Sequence, residues 1–433
     1  MNRPSFFAQR RFPRWIIPLL LSLPVAGANA QSSYPALSED EFRACLERLA
    51  PEAEQRGIPA DRFLSLIADL SPDPSVIARL DRQPEFVTPI WQYLANLVDA
   101  RRIQTAQEKL RENEGLLRYV EATYDVDAEL IVAFWAVESN FGQNLGRDDL
   151  LQSLATLSCF GRRQSYFRSE FLTVVNILER GDTGQTRLRG SWAGAFGQTQ
   201  FMPSTFERYA VDFDGDGKRD LYRSLPDIFA STANFLKQAG WRRGEPWAIE
   251  VVLPPTFDAK LAGRTKKRPT NEWFAMGLSR ADGKPWPRTL PEKAALLLPA
   301  GRQGPALLAF PNYDAIFRYN AAESYALAIG LLYDALKDPM KAARFDPKQP
   351  FVQPWPTDDP PLTRSETMEL QERLSALGYD PGVIDGVAGT QTREALTRFQ
   401  QECGNQAFEA DGWPGTKALE QVRQFEGGCE QTR

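Results

Sequence analysis

The chain of 433 residues contains no histidine. That absence removes Ser-His-Asp triads, Cys-His pairs and histidine-ligated zinc, so acid-base chemistry must run on carboxylates, Tyr, Lys or Cys. Cysteine is scarce, with four residues and no C-x-x-C spacing, which disfavours a thiolate metal site. Basic clusters are nearly absent. The formal net charge is −5, and the one basic run is Arg264-Thr265-Lys266-Lys267-Arg268. Such an acidic chain is a poor match for nucleic acid or an anionic membrane. Long apolar runs are missing too, apart from one near the N-terminus that is too short to span a bilayer.

That run reads as a secretory signal over residues 1–30. Arg3, Arg10, Arg11 and Arg14 form a basic start, Trp15 to Val25 an apolar core broken by Pro18 and Pro24, and Ala28-Asn29-Ala30 a small-residue cleavage pattern. Gln31 follows the expected cut, so no cysteine stands there to carry a lipid, and a soluble periplasmic product is expected. In an oxidising compartment Cys45, Cys159, Cys403 and Cys429 allow three pairings. Cys45–Cys159 with Cys403–Cys429 is the arrangement that keeps each bridge within its own domain.

The expected architecture is mainly α (α+β). Helical periodicity covers Glu41–Ala50, Asp61–Leu70, Trp91–Tyr119, Ala128–Ser139, Tyr166–Arg180 and Pro226–Ala239. Glu250–Leu253 reads as a strand, and Ala294–Leu298 and Ala306–Phe310 flank Gly301-Arg302-Gln303-Gly304 as a hairpin. Tyr325–Leu336 returns to helix. A helical domain over 31–345 with a small β-containing insertion accounts for this order. Residues 346–362 hold Pro347, Pro350, Pro354, Pro356, Pro360 and Pro361 and read as a semi-rigid linker. Beyond it, Ser365–Leu377, Gln391–Gln401 and Gly415–Phe425 predict a three-helix module over 363–426. Its Asp385-Gly386 and Asp411-Gly412 turns form a small repeat, with helix capping the simplest role for both aspartates.

The most telling single residue is Glu138, in the segment Ala136-Val-Glu-Ser-Asn-Phe-Gly142. Asp127 is a plausible N-cap, and Ile131, Phe134 and Trp135 recur at helical spacing toward it. Desolvation on an apolar stripe raises a carboxyl pKa, and the negative end of the helix dipole pushes the same way. An acid so placed stays protonated near neutral pH and can donate a proton. Carboxylate chemistry without histidine is also what glycoside cleavage uses. The plainer alternative is a Glu whose tip reaches solvent or an arginine. A second segment, Gly190-Ser-Trp-Ala-Gly-Ala-Phe-Gly-Gln-Thr-Gln-Phe-Met-Pro-Ser204, mixes small residues with Trp192, Gln198 and Gln200. Its glycines let backbone approach a bulky ligand, while amides and Ser191 can bond hydroxyl and N-acetyl groups.

Together these segments resemble the lytic murein transglycosylase B family of peptidoglycan-cleaving enzymes. The likeness rests on the Glu138 segment, the Gly190 to Ser204 run, Asp212-Phe-Asp-Gly-Asp-Gly217, and Arg318-Tyr-Asn320 followed by Tyr325-Ala. The tail resembles a small three-helix peptidoglycan-binding domain through Leu370-Gln-x-x-Leu374, Gly378-Tyr379, Asp385-Gly386 and the Thr392 to Gln400 run. The resemblance implies a lysozyme-like core, Glu138 as the single catalytic residue, and Ser191, Gln200, Tyr319, Asn320 and Tyr325 as sugar-contacting residues. It also implies cleavage between MurNAc and GlcNAc with a 1,6-anhydro product and no required cofactor. Peptidoglycan strands are the implied partner; other cell-wall enzymes stay open, and none is identified. Hydrolysis by the same cleft, as in a muramidase, and a non-catalytic cell-wall scaffold are the rival readings.

Asp212, Asp214, Asp216, Lys218 and Asp220 match positions one, three, five, seven and nine of a calcium loop, with Gly217 at six. Position twelve is Arg223, where the family pattern has an acid. A structural calcium ion is the one metal this pattern suggests, and Arg223 is its departure.

Overall fold

The helix Ala128–Ser139 forms where the periodicity predicts it, but it is buried on nearly every side rather than along one stripe. It packs against Glu323–Lys337, Ala100–Glu112, Glu114–Tyr124 and Leu225–Gln238, and so becomes the axis of the helical domain. Asp127 sits at its N-cap without accepting a capping hydrogen bond. Its carboxylate is buried and instead accepts from Trp241 Nε1 and Lys337 Nζ, each at 3.0 Å. That residue ties the central helix to two neighbours. The structure, a computed structural model, describes residues 37–80, 88–403 and 410–425. The expected signal over 1–30 and Cys429 lie outside them.

The run expected as one helix from Trp91 to Tyr119 is three: Ile90–Leu97, Ala100–Glu112 and Glu114–Tyr124. Asp99 breaks the first join by taking extended backbone and accepting the Arg102 amide at 3.0 Å. Asn113 breaks the second, its side chain donating to the Lys109 carbonyl at 2.9 Å. The disulfide Cys45–Cys159 is present and joins Glu39–Glu47 to Leu150–Cys159.

The insertion is a five-stranded antiparallel sheet. Its order across the sheet is Arg268–Pro269, Lys293–Leu297, Ala306–Ala309, Ala248–Val252, Ser279–Arg280. Leu296 pairs with Leu308 in the expected hairpin, and Ile249 with the same Leu308 on the other side. Trp273, Leu296, Leu308 and Phe310 form its core.

The proline-rich stretch carries neither helix nor named strand, yet it is held down. Proline-free amides still need acceptors, and Glu250 supplies them, taking Val352 N and Gln353 N at 2.8 Å each. Phe351 and Trp355 are buried, the latter with its ring 6.1 Å from Trp91. The helices Arg364–Ala376, Thr390–Cys403 and Thr416–Arg423 then close around Leu370, Leu374, Leu396, Phe399 and Leu419. The repeated aspartates do not cap these helices. Thr363 and Gly415 are the observed N-caps of the first and third. Asp385 accepts Val387 N at 2.8 Å, a turn bond. Asp411 accepts Trp413 N and, with its other oxygen, Arg302 N in the insertion, both at 2.9 Å.

Candidate active site

Glu138 lies in the last turn of the central helix, and the chain after it must leave abruptly. Asn140, Phe141 and Gly142 all adopt left-handed backbone, with φ of 50°, 59° and 81°. Asn140 N and Phe141 N donate back to the Ala136 and Trp135 carbonyls, closing the helix end. Phe141 folds back on Trp135, ring centroids 5.4 Å apart. Gly142 has no room for a side chain, because a Cβ there would stand 2.5 Å from Gln198 Oε1. The glycine-rich segment therefore sits directly against the helix end.

Gln198 is the clamp. Its Oε1 accepts Trp135 Nε1 at 2.7 Å while its Nε2 donates to the Tyr222 carbonyl at 2.8 Å. Ser191 and Gln200 hold the loop itself. Ser191 Oγ accepts Ala195 N at 2.9 Å, and Gln200 Nε2 donates to the Gly197 carbonyl at 2.9 Å. Gln200 also keeps a left-handed φ of 50°, a strained choice for a side-chain residue. Trp192 faces a smaller cavity of about 190 Å³ with Tyr166, Arg163 and Met202.

Tyr319 and Tyr325 complete the wall around Glu138. The Tyr325 hydroxyl donates to Glu138 Oε1, and the Tyr319 hydroxyl donates to the Thr199 carbonyl. Phe134 lies 4.5 Å from the Tyr319 ring and 6.2 Å from that of Tyr325. Asn320 is exposed. Glu138 keeps some solvent contact, but these rings crowd its carboxyl. Burial pushes it up to about 8, against a small opposing pull from the Tyr325 hydrogen bond. Among the described residues, no second carboxylate contributes to its ionisation. A lone acid, protonated at neutral pH and anchored through one oxygen, leaves its other oxygen to carry and deliver a proton.

The sequence expectations thus divide. Glu138, Tyr319 and Tyr325 come together directly, Ser191 and Gln200 belong to the adjoining loop, and Asn320 stands at the surface. Gln198 was visible in sequence as a polar loop residue, but nothing local signalled its grip on Trp135. In the acidic loop, Asp212 and Asp214 converge with Asp227, their ligand oxygens within 4.8 Å of one another. Asp227 is buried, and its carboxylate accepts Phe213 N at 2.7 Å and Asp220 N at 2.8 Å. Burial raises its pKa against those bonds. Asp216 and Asp220 lie outside this cluster, each accepting a nearby backbone amide. Asp227, four residues after Arg223, brings a third carboxylate to the loop.

The sequence profile of the Transglycosylase SLT domain matches residues 41–334. The chain belongs to that family. A second profile, described as "Putative peptidoglycan binding domain", matches residues 363–421. Membrane-bound lytic murein transglycosylase B of Escherichia coli (strain K12) is 31% identical over 284 residues, covering 64% of this chain and 74% of that protein. Among solved structures, SltB3 from Pseudomonas aeruginosa in complex with NAG-anhNAM-pentapeptide is 43% identical with a TM-score of 0.80, covering 89% of this chain and 99% of that one. The Escherichia coli lytic transglycosylase Slt35 in complex with calcium is 28% identical with a TM-score of 0.59, covering 69% of this chain and 93% of that one. The transglycosylase is an enzyme of the peptidoglycan-acting class, its lysozyme-like helical core carrying a small sheet and a C-terminal binding module. Among its described residues no helix is long and apolar enough to cross a membrane.

Proposed function

We propose that this transglycosylase cleaves the β-1,4 bond between MurNAc and GlcNAc and closes MurNAc into its 1,6-anhydro form, with Glu138 as sole acid and base. The observation that carries the reading is the Glu138 carboxyl, pushed up to about 8 with no second carboxylate acting on it among the described residues. Ordinary two-carboxylate hydrolysis needs that second group.

Protonated Glu138 donates from its free oxygen to the bridging oxygen, and the MurNAc C1–O bond breaks as GlcNAc leaves with the proton. The MurNAc N-acetyl carbonyl stabilises the cation developing at C1. Glu138, now a carboxylate held by the Tyr325 hydroxyl, takes the proton of the C6 hydroxyl. The C6 oxygen bonds to C1, and the enzyme regains its starting protonation. No water is consumed. The other expected sugar contacts are Ser191 and Gln200 along the loop, the Tyr319 ring, and the exposed Asn320 amide toward an N-acetyl group. Export to a soluble periplasmic location, and domains divided at 31–345, 346–362 and 363–426, belong to the same reading.

Calcium fits the acidic loop. Three carboxylates converge there, and no cation pairs with them among the described residues. Asp212, Asp214 and Asp227 would hold the ion, which would supply loop rigidity rather than chemistry.

Purified protein incubated with sacculi tests the reaction. Mass spectrometry should find anhydro-ended products, lighter by one water than the reducing ends that a muramidase leaves. Reducing ends alone would replace this reading with hydrolysis.

A further inference from the structure

Three consecutive residues of the glycine-rich loop each reach a different element. The Gln198 amide meets Trp135 in the central helix, the Thr199 carbonyl accepts the Tyr319 hydroxyl, and Gln200 Nε2 lies 3.3 Å from the Leu145 carbonyl beyond the helix end. Of these contacts, the one made by Gln198 falls on the helix that carries Glu138. Trp135 stands three residues before the acid, so the two are neighbours on the helix surface. The Trp135 carbonyl accepts Phe141 N at 3.1 Å, a bond that closes the helix end. Its buried ring packs edge-on against Phe141 and Phe229, with centroids 5.4 and 5.1 Å away. Main chain and side chain of Trp135 are thus both fastened at the last turn, and a shift of the indole carries that turn with it.

The Gln198 amide can sit in only one orientation. An indole N–H only donates and the Tyr222 carbonyl only accepts, so Oε1 must meet the first and Nε2 the second. Both polar atoms are then engaged inside the protein. The anchor at residues 221 and 222 is itself held. Gln198 N donates to the Leu221 carbonyl at 2.8 Å, and a Cβ at Gly197 would stand 2.7 Å from Leu221 Cβ. The Tyr222 ring lies 5.9 Å from that of Phe196, and its hydroxyl donates to the Arg189 carbonyl at 2.8 Å. Behind Tyr222, Asp220 accepts the Tyr222 amide at 2.8 Å and donates its own amide to the buried Asp227 at 2.8 Å. Gln198 therefore spans from the catalytic helix to the end of the acidic loop.

We propose that Gln198 is a positioning residue for proton transfer at Glu138, setting the last turn of the central helix through Trp135 and braced against the end of the acidic loop. The inference rests on the glycan-cleaving reading above. Tyr325 fixes one oxygen of the acid, and Gln198 fixes the turn that bears it. Misplacing a reacting group by about 1 Å can cost a hundredfold in rate, while sugars held elsewhere in the cleft bind as before.

Steady-state kinetics on soluble glycan strands test this by separating kcat from KM. Gln198→Leu, close in shape but without polar atoms, should lower kcat about 10- to 100-fold and leave KM within about twofold. Trp135→Phe keeps a ring and removes the N–H, and should lower kcat over the same range. The double variant should lose no more than the worse single one, because the two residues act as a unit. Gln198→Glu can accept from the indole near pH 7 but cannot donate to the Tyr222 carbonyl. As pH falls toward about 5 the introduced carboxyl takes up a proton and regains a donor, so kcat relative to wild type at the same pH should recover. That recovery carries the test if Gln198→Leu fails to fold. A raised KM at unchanged kcat would make Gln198 a sugar contact and overturn the inference. Additive losses in the double variant, or no recovery of Gln198→Glu in acid, would overturn it too while cleavage stands. A wild type that releases no anhydro product overturns the function instead.

Discussion

The Tyr325 hydroxyl hydrogen-bonds to Glu138 Oε1 across 187 positions of sequence. The bond does two things at once. It fixes which oxygen of the acid is free for the substrate, and it favours the carboxylate that forms after proton donation.

Tyr325→Phe should therefore lower kcat by about 10- to 100-fold, the range for losing a hydrogen bond to a charged group. The sign on pH follows from the same bond. Removing a donor that lowers the Glu138 pKa moves the alkaline limb of the kcat/KM profile above its wild-type position near 8. A limb that stays put, or moves down, would show that Tyr325 does not act on the acid.

Glu138→Gln should abolish turnover, by at least ~100-fold, while the fold survives. Stability adds a second signature. The folded-state pKa, about 8, lies above the ordinary value of 4.5, so between those limits the folded protein keeps a proton that the unfolded chain has released. The benefit of the neutral acid is complete below pH 4.5 and is lost as pH rises through about 8. The Gln variant lacks that dependence, so its Tm should exceed the wild type at pH 8 and converge with it near pH 5. Glu138 keeps some solvent contact, so the residual cost is discounted to about 1 kcal/mol, or roughly 1–2 °C for a domain of this size. Thermal scans of both proteins at the two pH values measure it.

Calcium at millimolar concentration should raise Tm, and a chelator should reverse the rise, because an ion bound only by the folded state stabilises it. Asp227→Asn should remove most of that response, whereas Asp216→Asn, at a position outside the converging cluster, should keep it. Equal loss in both variants would return the site to the consecutive ligand pattern of the sequence.

Gly142→Ala is expected to cost about 1–3 kcal/mol, from an unfavourable left-handed backbone and a displaced buried amide. The new Cβ would push Gln198 off Trp135 and Tyr222, loosening the loop against the helix end. Denaturant midpoints and kcat should fall together. A change in neither would mean that the Gln198 clamp is dispensable.

Sequence made the central helix and Glu138 legible because their signals are local: an apolar run, an acid at its end and a glycine beyond. The same locality explains the misses. Asp99 and Asn113 interrupt a continuous periodic pattern with side-chain bonds that periodicity does not weigh. Asp227 lies in the first turn of a helix capped by Ser224, and nothing near it in sequence marks the clamp it places on the acidic loop. Asp127 likewise looks like a cap and is a buried tie between helices. Tyr325 sits in a helix buried almost throughout, where nothing nearby in sequence marks its hydroxyl as the partner of the acid. The Cys45–Cys159 bridge follows from an even cysteine count and the division into domains, whereas the docking of the proline-rich stretch onto Glu250 depends on amides that composition does not reveal.

The bond from Arg302 N to Asp411, with Glu250 holding residues 352 and 353, bears on how such proteins can be recombined. A C-terminal module joined only by a spacer can be exchanged like a cassette. Here its turn is fitted to a loop of the insertion, where a Cβ at Gly301 would stand 2.5 Å from the Asp411 carboxylate. A chimera that imports a foreign module should therefore import the matching insertion with it, and lineages that diverge in one part should carry compensating changes in the other.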